Sequence, residues 1–289
     1  MSMKIRKAVI VAAGLGTRML PASKVIPKEI LPVIDTPAIQ LVVEEAVASG
    51  IEEIVVVVAP GRTTVLDHFK PAEELERHLE ERGKHDILEV VRRTNKLARF
   101  KIAEQAKPLG LGHAVLQACD AVGEEPFAVM LPDDIFDCPR PCLAQLIEAA
   151  EAKEAPVVAL LRVAHSEISK YGIVEAKTAG ERLFELTGMV EKPAPEKAPS
   201  DLAIMGRYVL TPDIFELLAT AQPGAGGEIQ LTDALMALTR RRKLYGYEFE
   251  GIRYDLGDRA GFIAAQVGFG LKRADLAPRL REYLKTIGI

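Results

Sequence analysis

The chain has 289 residues, of which 48% are apolar and 27% charged, enough for a packed core that needs no disulfide or metal staple. Its 37 basic and 41 acidic residues leave a net charge of −4, which excludes a general basic field for a nucleic-acid backbone but leaves room for local cations around a small anion. Three cysteines, Cys119, Cys138 and Cys142, form no secretory framework and point to a reducing, cytoplasmic setting; Cys138 and Cys142 lack a second Cys or His pair at zinc-ligand spacing.

The run 8–13 is continuously apolar and predicts a buried strand entering a tight loop at Gly14-Leu15-Gly16. It is too short for a signal or membrane segment, and no other stretch is long enough to span a bilayer. Apolar residues at helical spacing over 38–48, punctuated by Gly50, predict a helix. A second buried strand follows at 54–59, then amphipathic helices with a solvated face over 62–98. Strands at 100–104, 127–131 and 157–163 alternate with helices at 111–119 and 143–152. This alternation is the grammar of a parallel sheet covered on both faces. The second half is richer in strands, at 172–176, 183–190 and 202–210, with a proline-rich loop at 193–199. Helices return at 213–219 and 231–239, strands at 244–249 and 252–255, and helices at 259–271 and 278–285 close the chain.

Ligands of open α/β sheets bind outside the carboxyl ends of the strands. Three such ends carry unusual chemistry here: Gly14 to Arg18, Asp133-Asp134, and Asp255. They predict one site. Glycines let backbone N–H groups approach a phosphate or base, and Arg18 adds a forked cation. Taken alone, Gly14 and Gly16 fit a plain turn equally well. Met19 stands where a dinucleotide fingerprint needs its third glycine, and the second strand ends at Ala59-Pro60 without a ribose-binding acid, which argues against a nicotinamide dehydrogenase. Lys24 and Lys28, close after the loop, could add charge for a triphosphate. Asp133 fits a magnesium ligand or a turn, and Asp255 offers a second acid on a distant segment. Glu191-Lys192-Pro193 fits a sugar-phosphate grip or a surface ion pair; His113, on the predicted helix 111–119, reads as a structural histidine. No Ser, Cys or His arrangement makes a nucleophile.

These pieces occur together in one family. The segments Ala12-Ala13-Gly14-Leu15-Gly16-Thr17-Arg18-Met19-Leu20-Pro21, Pro27-Lys28-Glu29-Ile30-Leu31-Pro32, Gly110-Leu111-Gly112-His113, Leu131-Pro132-Asp133-Asp134, Glu191-Lys192-Pro193 and Gly227-Glu228-Ile229-Gln230-Leu231-Thr232-Asp233 stand in that family's order. Over nearly its whole length the chain resembles the sugar nucleotidyltransferases, specifically their bacterial UTP–glucose-1-phosphate uridylyltransferase branch. The resemblance implies a nucleotide-diphospho-sugar transferase fold: a Rossmann-like mixed, mostly parallel sheet flanked by helices, with a sugar-binding, β-rich second half. It implies a nucleotidyltransferase domain over 1–272, with nucleotide binding at about 1–135 and sugar binding at about 136–258, then a helical segment at 273–289.

It also implies roles. Ala12, Ala13, Gly14, Gly16 and Thr17 resemble the wall around uracil, ribose and phosphates; Gln105 resembles the reader of the base edge, with Gly110 beneath it. Arg18 and Lys28 resemble triphosphate clamps, and Asp133 and Asp255 the Mg2+ ligands. Tyr171, Gly172, Glu191, Gly206 and Glu228 resemble the glucose pocket, with Lys192 on the sugar phosphate. The implied substrates are UTP and glucose-1-phosphate, the products UDP-glucose and pyrophosphate, and the implied assembly is a homodimer or homotetramer. The helical section 62–98 separates the chain from thymidylyltransferases, which otherwise share the core; a dTTP-using sister and a non-catalytic nucleotide-binding protein are the alternatives. Asp201 stands where Asn is more common in the family, and Pro108-Leu109 alter the loop before Gly110.

Overall fold

The computed structural model describes residues 3–224 and 227–288. In chain order its strands are β1 (Lys7–Ala12), β2 (Pro32–Val33), β3 (Thr36–Pro37), β4 (Glu53–Val58), β5 (Arg99–Glu104), β6 (Phe127–Met130), β7 (Asp134–Asp137), β8 (Val157–Arg162), β9 (Gly172–Gly180), β10 (Leu183–Glu191), β11 (Leu202–Leu210), β12 (Tyr245–Glu248) and β13 (Ile252–Asp255). The helices are α1 (Ala38–Ala48), α2 (Thr64–Asp67), α3 (Glu73–Glu81), α4 (His85–Thr94), α5 (Leu111–Leu116), α6 (Cys119–Val122), α7 (Cys142–Lys153), α8 (Asp213–Thr220), α9 (Leu231–Leu238), α10 (Arg259–Gly270) and α11 (Ala277–Thr286). None is long and apolar enough to cross a membrane.

Nine strands form one mixed sheet in the order β5-β4-β1-β6-β11-β8-β12-β10-β9. From β5 to β6 every pairing is parallel; β11 runs antiparallel to both β6 and β8, and β9 and β10 form an antiparallel pair at the far edge. Because side chains alternate along a strand, each parallel strand feeds two cores. Ala8 and Ile10 of β1, Ile54 and Val56 of β4, and Met130 of β6 pack on one face with Ile39, Val43, Leu143 and Leu146 of α1 and α7. Val9, Val55, Val57, Phe127 and Val129 pack on the other with Val115, Phe215, Leu218 and Leu235 from α5, α8 and α9. Phe127 stacks on Phe215 with ring centroids 4.9 Å apart.

Two expectations changed. The single helix expected over 111–119 is two short ones, α5 and α6, with Gln117 and Ala118 between them. Residues 134–137 form β7, a strand not expected from the sequence, which leaves the main sheet and pairs antiparallel with β13. Four residues with an acid at each end carry too little apolar alternation to read as a strand. That pair matters for the site, because its register sets Asp255 opposite Asp134. The section 62–98 is helical as expected, and its hairpin buries little beyond Leu79 and Leu88. Arg92 there bonds Glu76 at 3.0 Å and Glu80 at 3.1 Å, exposed pairs that contribute little stability.

Candidate active site

Strand β1 lies between β4 and β6, so the chain leaves its carboxyl end at the point where the strand order reverses. Gly16 there has φ +64°, a left-handed turn that glycine adopts without a Cβ penalty. Ser23 pins the turn by donating its hydroxyl to Gly16 O at 2.7 Å. The loop delivers Arg18, whose side chain is 65% exposed, and the turn after Pro27 delivers Lys28, only 16% exposed.

Both cations face Asp133. Lys28 Nζ donates to Asp133 Oδ2 at 2.6 Å, and Arg18 Nη2 lies 3.9 Å from the same oxygen. Burial works to raise the Asp133 carboxyl, but Lys28 and Arg18 outweigh it and hold it below the ordinary carboxylate range. Burial likewise works to lower the Lys28 ammonium, and Asp133 and Glu29 reverse that. Asp255 arrives from β13. Its Oδ1 accepts from Gly257 N at 2.8 Å, and a Cβ on Gly257 would lie 2.6 Å from Arg18 Nη2 and 3.0 Å from both this oxygen and Asp133 Oδ2. Two acids 122 residues apart thus face one small space that a glycine keeps open.

A cavity of about 480 Å³ extends from these groups toward the β9–β10 edge. Arg18, Asp133 and Asp255 line it together with Tyr171, Gly172, Glu191, Lys192 and Gly206. The β9–β10 register sets Glu191 opposite Gly172. Glu191 Oε2 accepts from the Thr232 hydroxyl at 2.7 Å, and its Oε1 lies 3.2 Å from Lys192 Nζ. Lys192 has φ +45°, unusual for a residue with a Cβ, and its N–H donates to Tyr171 O at 3.0 Å. Lys28 lines a smaller neighbouring cavity with Gly16, Thr17, Arg18 and Gly257.

The other sequence candidates sit elsewhere on the same sheet edge. Ala12 ends β1 and Ala13 and Gly14 follow it, and Gln105 follows β5, two strands away. Gly110 closes tightly on the 227–230 loop: a Cβ there would lie 2.8 Å from Glu228 Cβ and Ile229 O. Glu228 is therefore beside Gly110 rather than on the large cavity, and it accepts from Gln230 Nε2 at 3.0 Å. Lys24 is exposed.

Sequence reasoning missed the residues that hold these groups in place. Arg253 Nε donates to Asp134 Oδ1 at 2.8 Å, its Nη1 to the Tyr171 hydroxyl at 3.0 Å, and its Nη2 lies 3.4 Å from Asp255 Oδ2. It ties the acid pair to the sugar end of the cavity. Its place two residues before Asp255 on one strand, hence on the same face, was the available signal. Asp134 Oδ2 accepts Gly206 N–H at 2.9 Å, and a Cβ on Gly206 would collide with that oxygen. Thr232 carried no signal except its place in the Gln230-Leu231-Thr232 segment.

Glu29, next to Lys28, is 2% exposed, and its Oε1 has no hydrogen-bond partner among the described residues. Burial pushes its carboxyl up to about 7 from an ordinary 4.5. The folded state then binds the extra proton between those values, so this group's contribution falls as pH rises from about 4.5 to about 7. Glu29→Gln is expected to remove that slope, gaining about 3 kcal/mol relative to wild type between pH 5 and pH 8 in urea unfolding. An identical difference at both pH values would refute the role of burial.

Comparison with known proteins places this geometry. Residues 7–269 match the family described as nucleotidyl transferase. The chain belongs to the nucleotidyl transferase family. It is 47% identical to UTP–glucose-1-phosphate uridylyltransferase 2 of Staphylococcus saprophyticus over 98% of both chains. A UTP-bound UGPase from Acinetobacter baumannii superposes with TM-score 0.90 at 36% identity, over 97% of this chain and 99% of that one. A UDP-glucose pyrophosphorylase complexed with UDP-glucose superposes with TM-score 0.86 at 39% identity, over 93% of this chain and all of that one. Nucleotidyl transferase membership thus covers both the glycine-loop end and the β9–β10 end of the cavity.

Proposed function

We propose that this protein transfers the uridylyl group of UTP to α-D-glucose-1-phosphate, giving UDP-glucose and pyrophosphate. The observation that carries the reading is one cavity with a carboxylate pair and Arg18 at one end and Glu191 and Lys192 at the other. The likeness to uridylyltransferases along nearly the full chain supports the choice of substrates.

A phosphate oxygen of glucose-1-phosphate attacks the α-phosphorus of UTP. The bond from that phosphorus to the β-phosphate bridging oxygen breaks, and pyrophosphate leaves opposite. Both reactants are anions, so the first requirement is to cancel their repulsion. Arg18 and Lys28 serve the triphosphate, and Lys192 serves the sugar phosphate. The attacking phosphate is already ionised near neutral pH, so no general base is needed. Ala12, Ala13, Gly14, Gly16 and Thr17 wall the nucleotide, with Gln105 and Gly110 at the base. Tyr171, Gly172, Glu191 and Gly206 surround the glucose, with Glu228 at the margin.

Asp133 and Asp255 fit a magnesium ion: both offer hard oxygen donors to the space that Gly257 leaves open, and Asp133 is held ionised. When bound, magnesium supplies neutralising charge across the phosphates. Lys28, paired with Asp133 here, is the cation positioned to turn to phosphate oxygens instead. The family resemblance also supports a homodimer or homotetramer, which light scattering on the purified protein would check.

The test is pyrophosphate release with magnesium and glucose-1-phosphate, comparing UTP with dTTP, ATP, CTP and GTP at equal concentration. Release with UTP alone is expected. A dTTP preference would move the protein to the sister activity, and no release with any nucleotide would end the enzyme reading. Within that assay, Lys192→Ala is expected to raise KM for glucose-1-phosphate by about 10- to 100-fold, the loss of one charge-assisted contact, with little change in KM for UTP. Equal changes in both would remove Lys192 from the sugar-phosphate end.

A further inference from the structure

We infer that His113 is a positioning residue for base selection, fixing the Gln105 side-chain amide so that it offers the base only an acceptor; this rests on the uridylyl-transfer reading. Gln105 follows β5 directly, its N–H donates to Val58 O at 2.9 Å, and it is 6% exposed. Its Nε2 reaches two partners, Gly110 O at 3.0 Å and His113 Nδ1 at 3.0 Å. A carbonyl only accepts, so the atom facing Gly110 is the amide nitrogen. The nitrogen's second hydrogen then points at Nδ1, which must present a lone pair and leave the ring proton on Nε2. On the other side of the ring, Gln117 Nε2 donates to His113 O at 3.1 Å and stands 3.4 Å from His113 Nε2; the closer contact, 3.0 Å from Gln105 to Nδ1, decides which ring nitrogen carries the lone pair, and the 3.4 Å approach is then not a hydrogen bond.

Both hydrogens of the Gln105 amide are thereby used inside the protein. Its Oε1 has no protein donor among the described residues. Toward a ligand the side chain can accept and cannot donate. Uracil and thymine carry a hydrogen on N3, whereas cytosine has a lone pair there and would meet Oε1 with like charge. The arrangement therefore separates UTP from CTP and is indifferent between UTP and dTTP. Gly110 O alone holds one hydrogen; the second acceptor opposes rotation of the amide. His113 can do this because α5 is anchored on both sides of it, Gly112 N–H to Ile229 O at 2.9 Å and Ala114 and Val115 in the core.

The experiment measures kcat/KM for UTP, dTTP and CTP, with CTP inhibition constants, in wild type and three variants. His113→Leu keeps bulk without an acceptor, His113→Ala removes both, and His113→Asn can place an amide oxygen near the Nδ1 position. Thermal melting identifies which variants fold. The UTP/CTP preference is expected to fall about tenfold in His113→Leu and His113→Ala and to recover in His113→Asn, with UTP/dTTP unchanged. A merely structural histidine would lower all three nucleotides alike. That result, or CTP remaining as poor a ligand in every folded variant as in wild type, overturns the inference. Absence of UTP turnover in the wild type would instead fail the parent reading, and this inference with it.

Discussion

Asp133→Ala is expected to abolish magnesium-dependent turnover, a loss of at least about 10³ in kcat. The expectation follows from how much converges on this carboxylate. Lys28 bonds it at 2.6 Å, Arg18 lies 3.9 Å away, and Asp255 faces the same space beside Gly257. Removing it takes away one of the two acids proposed to hold the ion and frees the Lys28 ammonium from its partner. Asp133→Asn separates these consequences, because an amide oxygen can still accept from Lys28 while the charge is gone. If charge decides, Asn should fail nearly as badly as Ala and show a raised magnesium requirement. Near-wild-type turnover in either variant would remove Asp133 from the metal site. The companion variant Lys28→Ala should lose about 10² to 10³ in rate, or about 3 to 4 kcal/mol, as expected for one charged clamp in a phosphoryl-transfer site. An ordinary surface lysine would lose almost nothing.

The second large effect concerns a residue that lines neither of the two cavities. Arg207 in β11 is fully buried and all five of its N–H groups are satisfied. Nε and Nη2 bond the Glu45 carboxylate at 3.2 and 2.7 Å; Nη1 reaches Leu131 O at 2.9 Å and Gly206 O at 3.2 Å; Nη2 also reaches Asp134 O at 2.9 Å. Its guanidinium also lies over Phe136, 4.6 Å from the ring centroid. The carbonyls of Leu131 and Asp134 bracket Asp133, so the guanidinium sets the backbone that aims this carboxylate. Arg207→Leu should destabilise the fold by about 3 to 5 kcal/mol, because it leaves Glu45 buried without its counter-charge. Adding Glu45→Leu should recover part of that in urea unfolding, yet turnover should stay low in both, since neither restores donors to the two carbonyls. Recovery of activity along with stability would show that the ion pair supports the fold alone.

The parallel half of the sheet was legible because its signal is local. Continuous apolar runs at 8–13, 54–59 and 127–131 read as buried strands, and β1, β4 and β6 occupy them. The glycine loop and the strand-end acids were legible for the same reason: turn chemistry and charge stand next to the strands they follow. What escaped was whatever depends on register. Strand β7 was invisible, and with it the pairing of Asp134 with Asp255. Glu228 shows the complementary limit, since a motif gave its place in sequence and not the side of Gly110 on which it packs.

The strand ends, the glycine turn at Gly16, the family and the inventory of charges were all readable from the chain, because each resides in a few consecutive residues. Which of those charges meet follows from the folded arrangement alone. Asp133 faces Asp255 because β13 lies antiparallel on β7; Glu45 neutralises Arg207 across 162 residues; the Gln105 amide after β5 meets His113 of α5, which is anchored through Gly112 on Ile229. Such contacts are set by long-range pairing and by burial that leaves a polar group one place to find a partner, and neither is written in the residues on either side of it.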